Sequence, residues 1–229
     1  CATRNLNPAR PKPSTPERGT QLAQITGKLA LWLLRNRQRA MAATGAERVE
    51  LPDGTGPLLL FSVPRDKDDP AALAPVLTAL LGATPGLRIL VLGGRATAQP
   101  GQVPSPRVRR LPSLLDPTAI AWLVTEHRPG ALLILGNDLP ALLIDAAHQA
   151  AVPVILTEAR LSDHVGQGGW KRGIWQNALS RGLIGLIDHI LAPDLPAARH
   201  ARALGARPEA IETVGPVTDT RPRLRENEA

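Results

Sequence analysis

The chain has 229 residues and a formal net charge of +7, from 27 basic and 20 acidic side chains. Its single Cys excludes an internal disulfide framework and a cysteine-based metal site. Tyr is absent and Phe occurs once, so the aromatic platform on which nucleic-acid readers stack bases is missing, and we expect no nucleic-acid partner. The basic surface is either simply solvated or suited to another anionic partner, such as phosphate groups or a membrane surface.

The first 44 residues fall into two predicted parts. Residues 1–18 are rich in Pro and polar side chains, which predicts an extended or disordered tail. Residues 19–44 predict a basic amphipathic helix whose apolar positions recur at helical spacing. These positions are Leu22, Ile25, Leu29, Leu33 and Leu34. The apolar stripe, together with Trp32, either docks on the core or lies in the headgroup region of a membrane. No apolar run reaches the ~20 residues that a transmembrane helix needs.

Residues 56–217 predict one Rossmann-like α/β domain, with a parallel sheet covered by helices on both faces. Six short apolar strands alternate with helices, namely GPLLLFSV, LRILVLGG, ALLILG, VPVILTEA, DHILAP and IETVGPV. Ligands of such sheets bind beyond the carboxyl ends of the strands. The candidate binding loops are therefore 62–70, 93–98, 136–140, 158–172 and 193–196. Residues 218–229 predict a polar tail or linker.

Carboxylates follow two of the predicted strands. Asp68 and Asp69 come after the first strand, where a carboxylate suits a general base. Asp69 also stands directly before Pro70, which is typical of a helix N-cap. Asp138, beside Asn137 after the third strand, has the same two interpretations, and the sequence favours capping at both places.

Two further candidate loops, 93–98 and 158–172, carry glycine and mixed polar residues. Gly93, Gly94 and Arg95 follow the second strand and suit either a plain turn or an anion site, without the GxGxxG spacing of a dinucleotide fold. The loop EARLSDH holds Ser, Asp and His too close in sequence for a hydrolase triad, and it has no GxSxG elbow. Asp163 and His164 alone are too few to bind a metal ion.

The stretch VPVILTEARLSDHVGQGGWKR resembles the pattern of the bacterial 3-deoxy-D-manno-octulosonic acid (Kdo) transferases. In that family a similar strand is followed by N-A-R-L-S, a Gly, a Trp and basic residues. Arg160, Ser162, Trp170 and Lys171 stand at the matching positions. The segments RPGALLILGNDLP and DHILAPDLPAARHARALGA are similar to the family's segments in the same order. The resemblance covers roughly residues 56–220.

This resemblance implies the N-terminal half of a GT-B glycosyltransferase, in which two Rossmann-like domains face a cleft. In the family this half binds the lipid A acceptor, the other half binds CMP-Kdo, and the inverting transfer uses no metal and no cofactor. The family's base in the first loop corresponds to Asp69 or Asp68. The implied acceptor-binding residues are Asn137, Asp138, Arg160, Ser162, Trp170 and Lys171. The implied location is peripheral, on the cytoplasmic face of the inner membrane, which suits the basic helix.

The chain departs from the family at several polar positions. The family's first-loop V-G-E is replaced near Asp68 and Asp69, the E-S-E of the second motif becomes Gly136-Asn137-Asp138, and the Lys of G-N-L-K becomes Thr218. We therefore expect a divergent Kdo-transferase domain, for which CMP-Kdo is a partner only if a donor-binding half is supplied. The alternatives are a non-catalytic module that binds anionic lipid or a partner protein, and a nucleotide-dependent enzyme of another class.

Overall fold

The computed structural model describes residues 29–33, 36, 49–64, 70–93, 105–111, 117–158 and 178–216. Within these ranges the chain forms a seven-stranded sheet in the order β3-β2-β1-β4-β5-β6-β7. All six strand pairs are parallel. The strands are β1 Leu58–Val63, β2 Arg88–Gly93, β3 Val108–Leu111, β4 Ala131–Leu135, β5 Val154–Thr157, β6 His189–Ala192 and β7 Ile211–Thr213.

Helices follow most of the strands, as the sequence predicts. They are α1 Pro70–Ala83, α2 Pro117–His127, α3 Ala141–Gln149 and α4 Leu195–Ala203, with further helical residues at 29–33 and 178–184 and a 3-10 turn at Pro208–Ala210. α4 begins after Asp194, whose carboxylate accepts a hydrogen bond from the backbone N–H of Ala197 at 2.8 Å. This side-chain cap satisfies one of the free N–H groups of the first turn.

Two apolar clusters lie on opposite faces of the sheet, because successive side chains of a strand point to opposite sides. Leu58 and Leu60 of β1 pack in one cluster with residues of α2 and α3. Leu59 and Phe61 pack in the other with Leu73 and Leu77 of α1. The central strands are thus buried on both faces, which is why they read as continuous apolar runs. The predicted Rossmann-like fold is confirmed.

The sequence predicts six strands, and the structure adds a seventh. β3 has only four residues, of which Arg109 and Arg110 are basic and partly exposed. It is an edge strand, and Arg109 forms an ion pair with Glu50. Charged side chains are common on edge strands, where they discourage pairing with another chain. This strand lacks the apolar signal on which the sequence prediction depends.

The N-terminal helical residues 29–33 place apolar side chains on two sides. Ala30 and Leu31 are buried, and Leu31 belongs to the larger core cluster. Leu29, Trp32 and Leu33, at the spacing of one helix face, are 54%, 55% and 41% exposed. The segment docks on the core through Ala30 and Leu31. The predicted apolar stripe implied docking through Leu29 and Leu33, and that part of the prediction is wrong. We call Leu29, Trp32 and Leu33 the exposed apolar stripe.

Replacing Ala151 with Gly is expected to raise the free energy of unfolding by about 0.5–1 kcal/mol. α3 ends with hydrogen bonds from Ala151 N to His148 O and from Val152 N to Ala147 O, and Ala151 has φ of 55°. This is the Schellman arrangement, whose left-handed residue is usually Gly. Urea denaturation measures the change.

Gly205, after α4, is the matched control for this substitution. It closes its helix in the same way, with φ of 101°, and an added Cβ would meet no atom within 4 Å. Gly205→Ala therefore changes only the backbone cost, and we expect it to lower the stability. A gain in stability for Gly205→Ala, or a loss for Ala151→Gly, would contradict this account of the two helix ends.

Candidate functional site

The topological switch point of the sheet lies between β1 and β4. From β1 the chain proceeds to β2 and β3 on one side, and it then crosses to β4 on the other side of β1. At such a switch point the loops that leave the two neighbouring strands run to opposite faces of an open α/β sheet, and the crevice between them is where such sheets bind ligands. The candidate residues Asp68, Asp69, Asn137 and Asp138 follow these two strands.

On the β4 side of the crevice the structure describes the loop. Asn137 and Asp138 are exposed, so both side chains are accessible to a ligand. α3 begins at Ala141 with Pro140 as its N-cap residue and without a side-chain cap hydrogen bond. The prediction that Asp138 caps the following helix is therefore wrong. Its proposed role in acceptor binding stays a prediction.

On the β1 side, Asp68 and Asp69 lie outside the described residues, and so do Gly94 and Arg95 after β2. The same holds for Arg160, Ser162, Trp170 and Lys171 after β5. α1 begins at Pro70, so Asp69 directly precedes the helix, as the sequence predicts. The roles assigned to these residues stay predictions.

Gly93, the last residue of β2, has a structural reason to be glycine. Its φ is 107°, and a Cβ at this position would lie 2.2 Å from the carbonyl oxygen of Val63 on the neighbouring strand. The close approach of the two paired backbones is therefore enough to explain the glycine, whether or not a ligand binds there. The anion-binding role of Gly93 stays a prediction.

Two further polar residues, Thr157 and Glu158, lie at the carboxyl end of β5, on the same side of the sheet as the loop after β4. Thr157 pairs in register with Leu135 of β4 and with Leu191 of β6. The N–H of Gly136 donates a hydrogen bond of 2.8 Å to the carbonyl oxygen of Thr157. This bond continues the β4–β5 pairing by one residue, so Glu158 lies opposite Gly136. Glu158 is thus one strand away from the switch point.

Glu158 is unusual in both environment and backbone. It is only 6% exposed, and its φ is 52°, in the left-handed region that non-glycine residues rarely adopt. Thr157 is 3% exposed, and its buried Oγ1 has no hydrogen-bond partner among the residues that the structure describes. Backbone strain and buried polar groups are characteristic of ligand sites, although each also occurs for structural reasons.

The sequence analysis places Glu158 in a candidate loop without giving it a role. One signal was available, since the family pattern N-A-R-L-S has Asn where this chain has Glu before A-R-L-S. The strained φ and the burial were not visible in the sequence. Among the described residues, no group of three or more His, Cys, Asp or Glu side chains could hold a metal ion.

Comparison with known proteins shows both a family and a fold. A family model for 3-deoxy-D-manno-octulosonic-acid transferase (kdotransferase) matches residues 68–218. No curated protein matches the chain. The matched range begins between β1 and α1 and includes all the strands and helices that the structure describes after β1.

Two solved structures are similar in fold. The UDP-GlcNAc 2-epimerase of Neisseria meningitidis, bound to UDP-GlcNAc, is 16% identical with a TM-score of 0.50, over 70% of this chain and 46% of its own. Another UDP-N-acetylglucosamine 2-epimerase is 14% identical with a TM-score of 0.51, over 71% of this chain and 49% of its own. The chain thus corresponds to about half of each protein, and its fold is that of one Rossmann-like half of a GT-B architecture.

Proposed function

We propose, because this chain belongs to the 3-deoxy-D-manno-octulosonic-acid transferase family, that it is the acceptor-side domain for transfer of Kdo from CMP-Kdo to a lipid A precursor. The observation that carries the proposal is the family match over residues 68–218. The reaction would belong to lipopolysaccharide synthesis. The fold supports the proposal, since the strands are parallel and the candidate residues all follow their carboxyl ends, on one side of the sheet.

In the proposed reaction a carboxylate of the loop after β1 acts as general base. Asp69, or Asp68, takes the proton from an acceptor hydroxyl, and the hydroxyl oxygen attacks the anomeric carbon of Kdo while CMP leaves. Asn137 and Asp138, exposed at the end of the neighbouring strand β4, hold the acceptor from the other side of the crevice. Arg160, Ser162, Trp170 and Lys171 complete the acceptor site.

The donor, CMP-Kdo, binds to a second Rossmann-like half in this proposal. The test is a fusion of this chain to the donor-binding half of an active family member, assayed with CMP-Kdo and a lipid A precursor. We expect transfer by the fusion and none by either half alone. A soluble, folded fusion that binds CMP-Kdo but transfers no sugar would contradict the catalytic proposal.

A non-catalytic binding module is the second candidate. It is favoured by the exchange of the family's E-S-E for Gly136-Asn137-Asp138, which removes one carboxylate from the edge of the sheet and shortens another. In that case the chain would keep the fold and bind anionic lipid or a partner protein. The fusion separates the two candidates, because a module of this kind would leave the fusion inactive.

We also propose that the chain associates peripherally with the cytoplasmic face of the inner membrane. The exposed apolar stripe of Leu29, Trp32 and Leu33 supports this, together with the net charge of +7. Apolar side chains of this kind insert at the headgroup boundary, and basic residues are attracted to anionic lipid. In the described part of the chain, no helix is long and apolar enough to cross a membrane.

Replacing Leu29, Trp32 and Leu33 together by Ser is expected to weaken binding to vesicles of phosphatidylglycerol and phosphatidylethanolamine by about tenfold or more. The triple variant should fold normally, because Leu31 still packs in the core. Co-sedimentation at low salt measures the binding. The control is Leu195→Ser, which removes a leucine that is 61% exposed on α4. Equal binding by wild type and the triple variant would contradict the membrane proposal.

A further inference from the structure

The described helices cover the strands β5, β6 and β7 on one face of the sheet only. Residues of α2, α3, α4 and the helical segment 178–184 pack in the larger apolar cluster, which continues as far as β6. The cluster on the other face, which α1 covers, has its described strand members in β1, β2, β3 and β4. Right-handed crossovers run in opposite directions on the two sides of the switch point, so their helices lie on opposite faces.

Two apolar side chains of β5 and β6 point to the face that these helices leave uncovered. Ile155 pairs in register with Leu133, which packs in the cluster under α1, and Leu191 pairs with Thr157 two positions further along β5. Both Ile155 and Leu191 are partly exposed. Neither belongs to a core cluster of the described residues.

Val214 extends this apolar face past the end of β7. Its N–H donates a hydrogen bond of 3.0 Å to the carbonyl oxygen of Ala192, which continues the β6–β7 pairing by one residue. Glu212 pairs with Leu191, and Val214 follows two residues later, so it lies on the same face. Val214 is 45% exposed. We call Ile155, Leu191 and Val214 the open face.

The open face has the composition of a docking surface. Its apolar residues lie on three adjacent strands, and the exposed side chains of His189 and Glu212 lie beside them. An apolar centre with a polar rim is typical of protein interfaces. Parallel sheets are normally covered on both faces by helices, as β1 and β2 are in this chain. An apolar helix therefore fits this surface.

The donor-binding half of the proposed enzyme is the partner that suits the open face. This chain spans 46% and 49% of two solved structures that share its fold, so each of them has about as many residues again outside the shared part. The proposed transfer also needs a second half that holds CMP-Kdo beside this one. A contact between the two halves keeps them together during the reaction.

We propose that the open face is the docking surface for the donor-binding half, which covers it with an apolar helix. This inference rests on the proposed function, since that half is the one assigned to CMP-Kdo. The contact lies on a face of the sheet and not at the carboxyl ends of β1 and β4. It therefore holds the two halves together and leaves the crevice free for the acceptor.

The test is the rate at which iodoacetamide alkylates Val214→Cys, in the 229-residue chain and in its fusion to a cysteine-free donor-binding half. Cys1→Ser removes the only native thiol of this chain. We expect alkylation to be about tenfold or more slower in the fusion, because docking buries the thiol. The control is Leu195→Cys, at a position that is 61% exposed on α4, which packs on the other face. It should react equally fast in both proteins.

Val214→Asp tests the same contact through stability. Because Val214 is partly exposed in the chain alone, the substitution should leave the melting temperature of the 229-residue chain unchanged. In the fusion the carboxylate would be buried in an apolar contact, which is costly, so the melting temperature of the fusion should fall. Leu195→Asp should lower neither melting temperature.

The outcomes separate this inference from the proposed function. If the fusion transfers Kdo while Val214→Cys reacts as fast as in the chain alone, the proposed function stands and the docking surface is wrong. Slower alkylation in a fusion that transfers no sugar supports the docking surface and contradicts the catalytic proposal. Equal alkylation rates in an inactive fusion contradict both.

Discussion

Replacing Gly93 with Ala is expected to lower the free energy of unfolding by about 3 kcal/mol or more. The added Cβ would lie 2.2 Å from the carbonyl oxygen of Val63, and the clash is with backbone, which cannot move aside as a flexible side chain can. The φ of 107° adds a conformational cost for any residue with a Cβ. Relief would require separation of β1 and β2 in the middle of the sheet.

Urea denaturation of Gly93→Ala beside Gly82→Ala is the appropriate measurement. Gly82 lies near the end of α1, where an added Cβ would meet no atom within 4 Å. We therefore expect Gly82→Ala to be neutral or to raise the stability by up to ~1 kcal/mol. A free energy of unfolding for Gly93→Ala within 1 kcal/mol of wild type would contradict the close approach of β1 and β2 at this residue.

Gly93→Ala is a poor test of the anion-binding role predicted for the loop after β2. Loss of activity in Gly93→Ala would follow from the damaged sheet alone, so it would say nothing about ligand binding. Arg95→Gln is the more informative variant, because it removes the charge that an anion would meet.

Replacing Asp69 with Asn is expected to lower the rate of Kdo transfer by about 10²–10⁴-fold in the fusion with a donor-binding half. Asn has nearly the same shape as Asp, but it cannot take a proton from the acceptor hydroxyl. The described strands support the choice of this loop, since it leaves β1 at the switch point and ends where α1 begins at Pro70. Single-turnover kinetics with CMP-Kdo and a lipid A precursor measure the chemical step.

Two further variants locate the base. Asp53→Asn is the matched control, because Asp53 is an exposed carboxylate in the segment before β1, at the opposite end of that strand. It should transfer Kdo at the wild-type rate. If Asp69→Asn keeps at least a tenth of that rate while Asp68→Asn loses activity, the base is Asp68. If both keep it, the loop after β1 does not supply the base.

Much of the fold could be predicted from the sequence because its strands are buried on both faces. A strand such as β2, with five of its six residues buried, has little sequence pattern other than apolar character, and that is enough to find it. α1 and α2 begin at Pro70 and Pro117, since proline suits the first turn of a helix. β3 cannot be predicted in this way, because an edge strand needs no continuous apolar run. Its Arg109 is partly exposed and forms an ion pair with Glu50.

The candidate site could be predicted less completely. The sequence indicates which loops follow the strands, and hence Asn137 and Asp138 at the end of β4. It does not show that Pro140 is the N-cap of α3, so the capping interpretation of Asp138 failed. It also could not single out Glu158, because the strain of a φ of 52° and the burial of a carboxylate arise only in the folded chain.

The measurement that tests the central claim most directly is a pair of titrations of the 229-residue chain by isothermal titration calorimetry. One titrates the chain with a lipid A precursor in detergent micelles, and the other with CMP-Kdo. An acceptor-side domain should bind the lipid A precursor and give no heat of binding with CMP-Kdo. Binding of CMP-Kdo without binding of the lipid A precursor would contradict the assignment of this chain to the acceptor side.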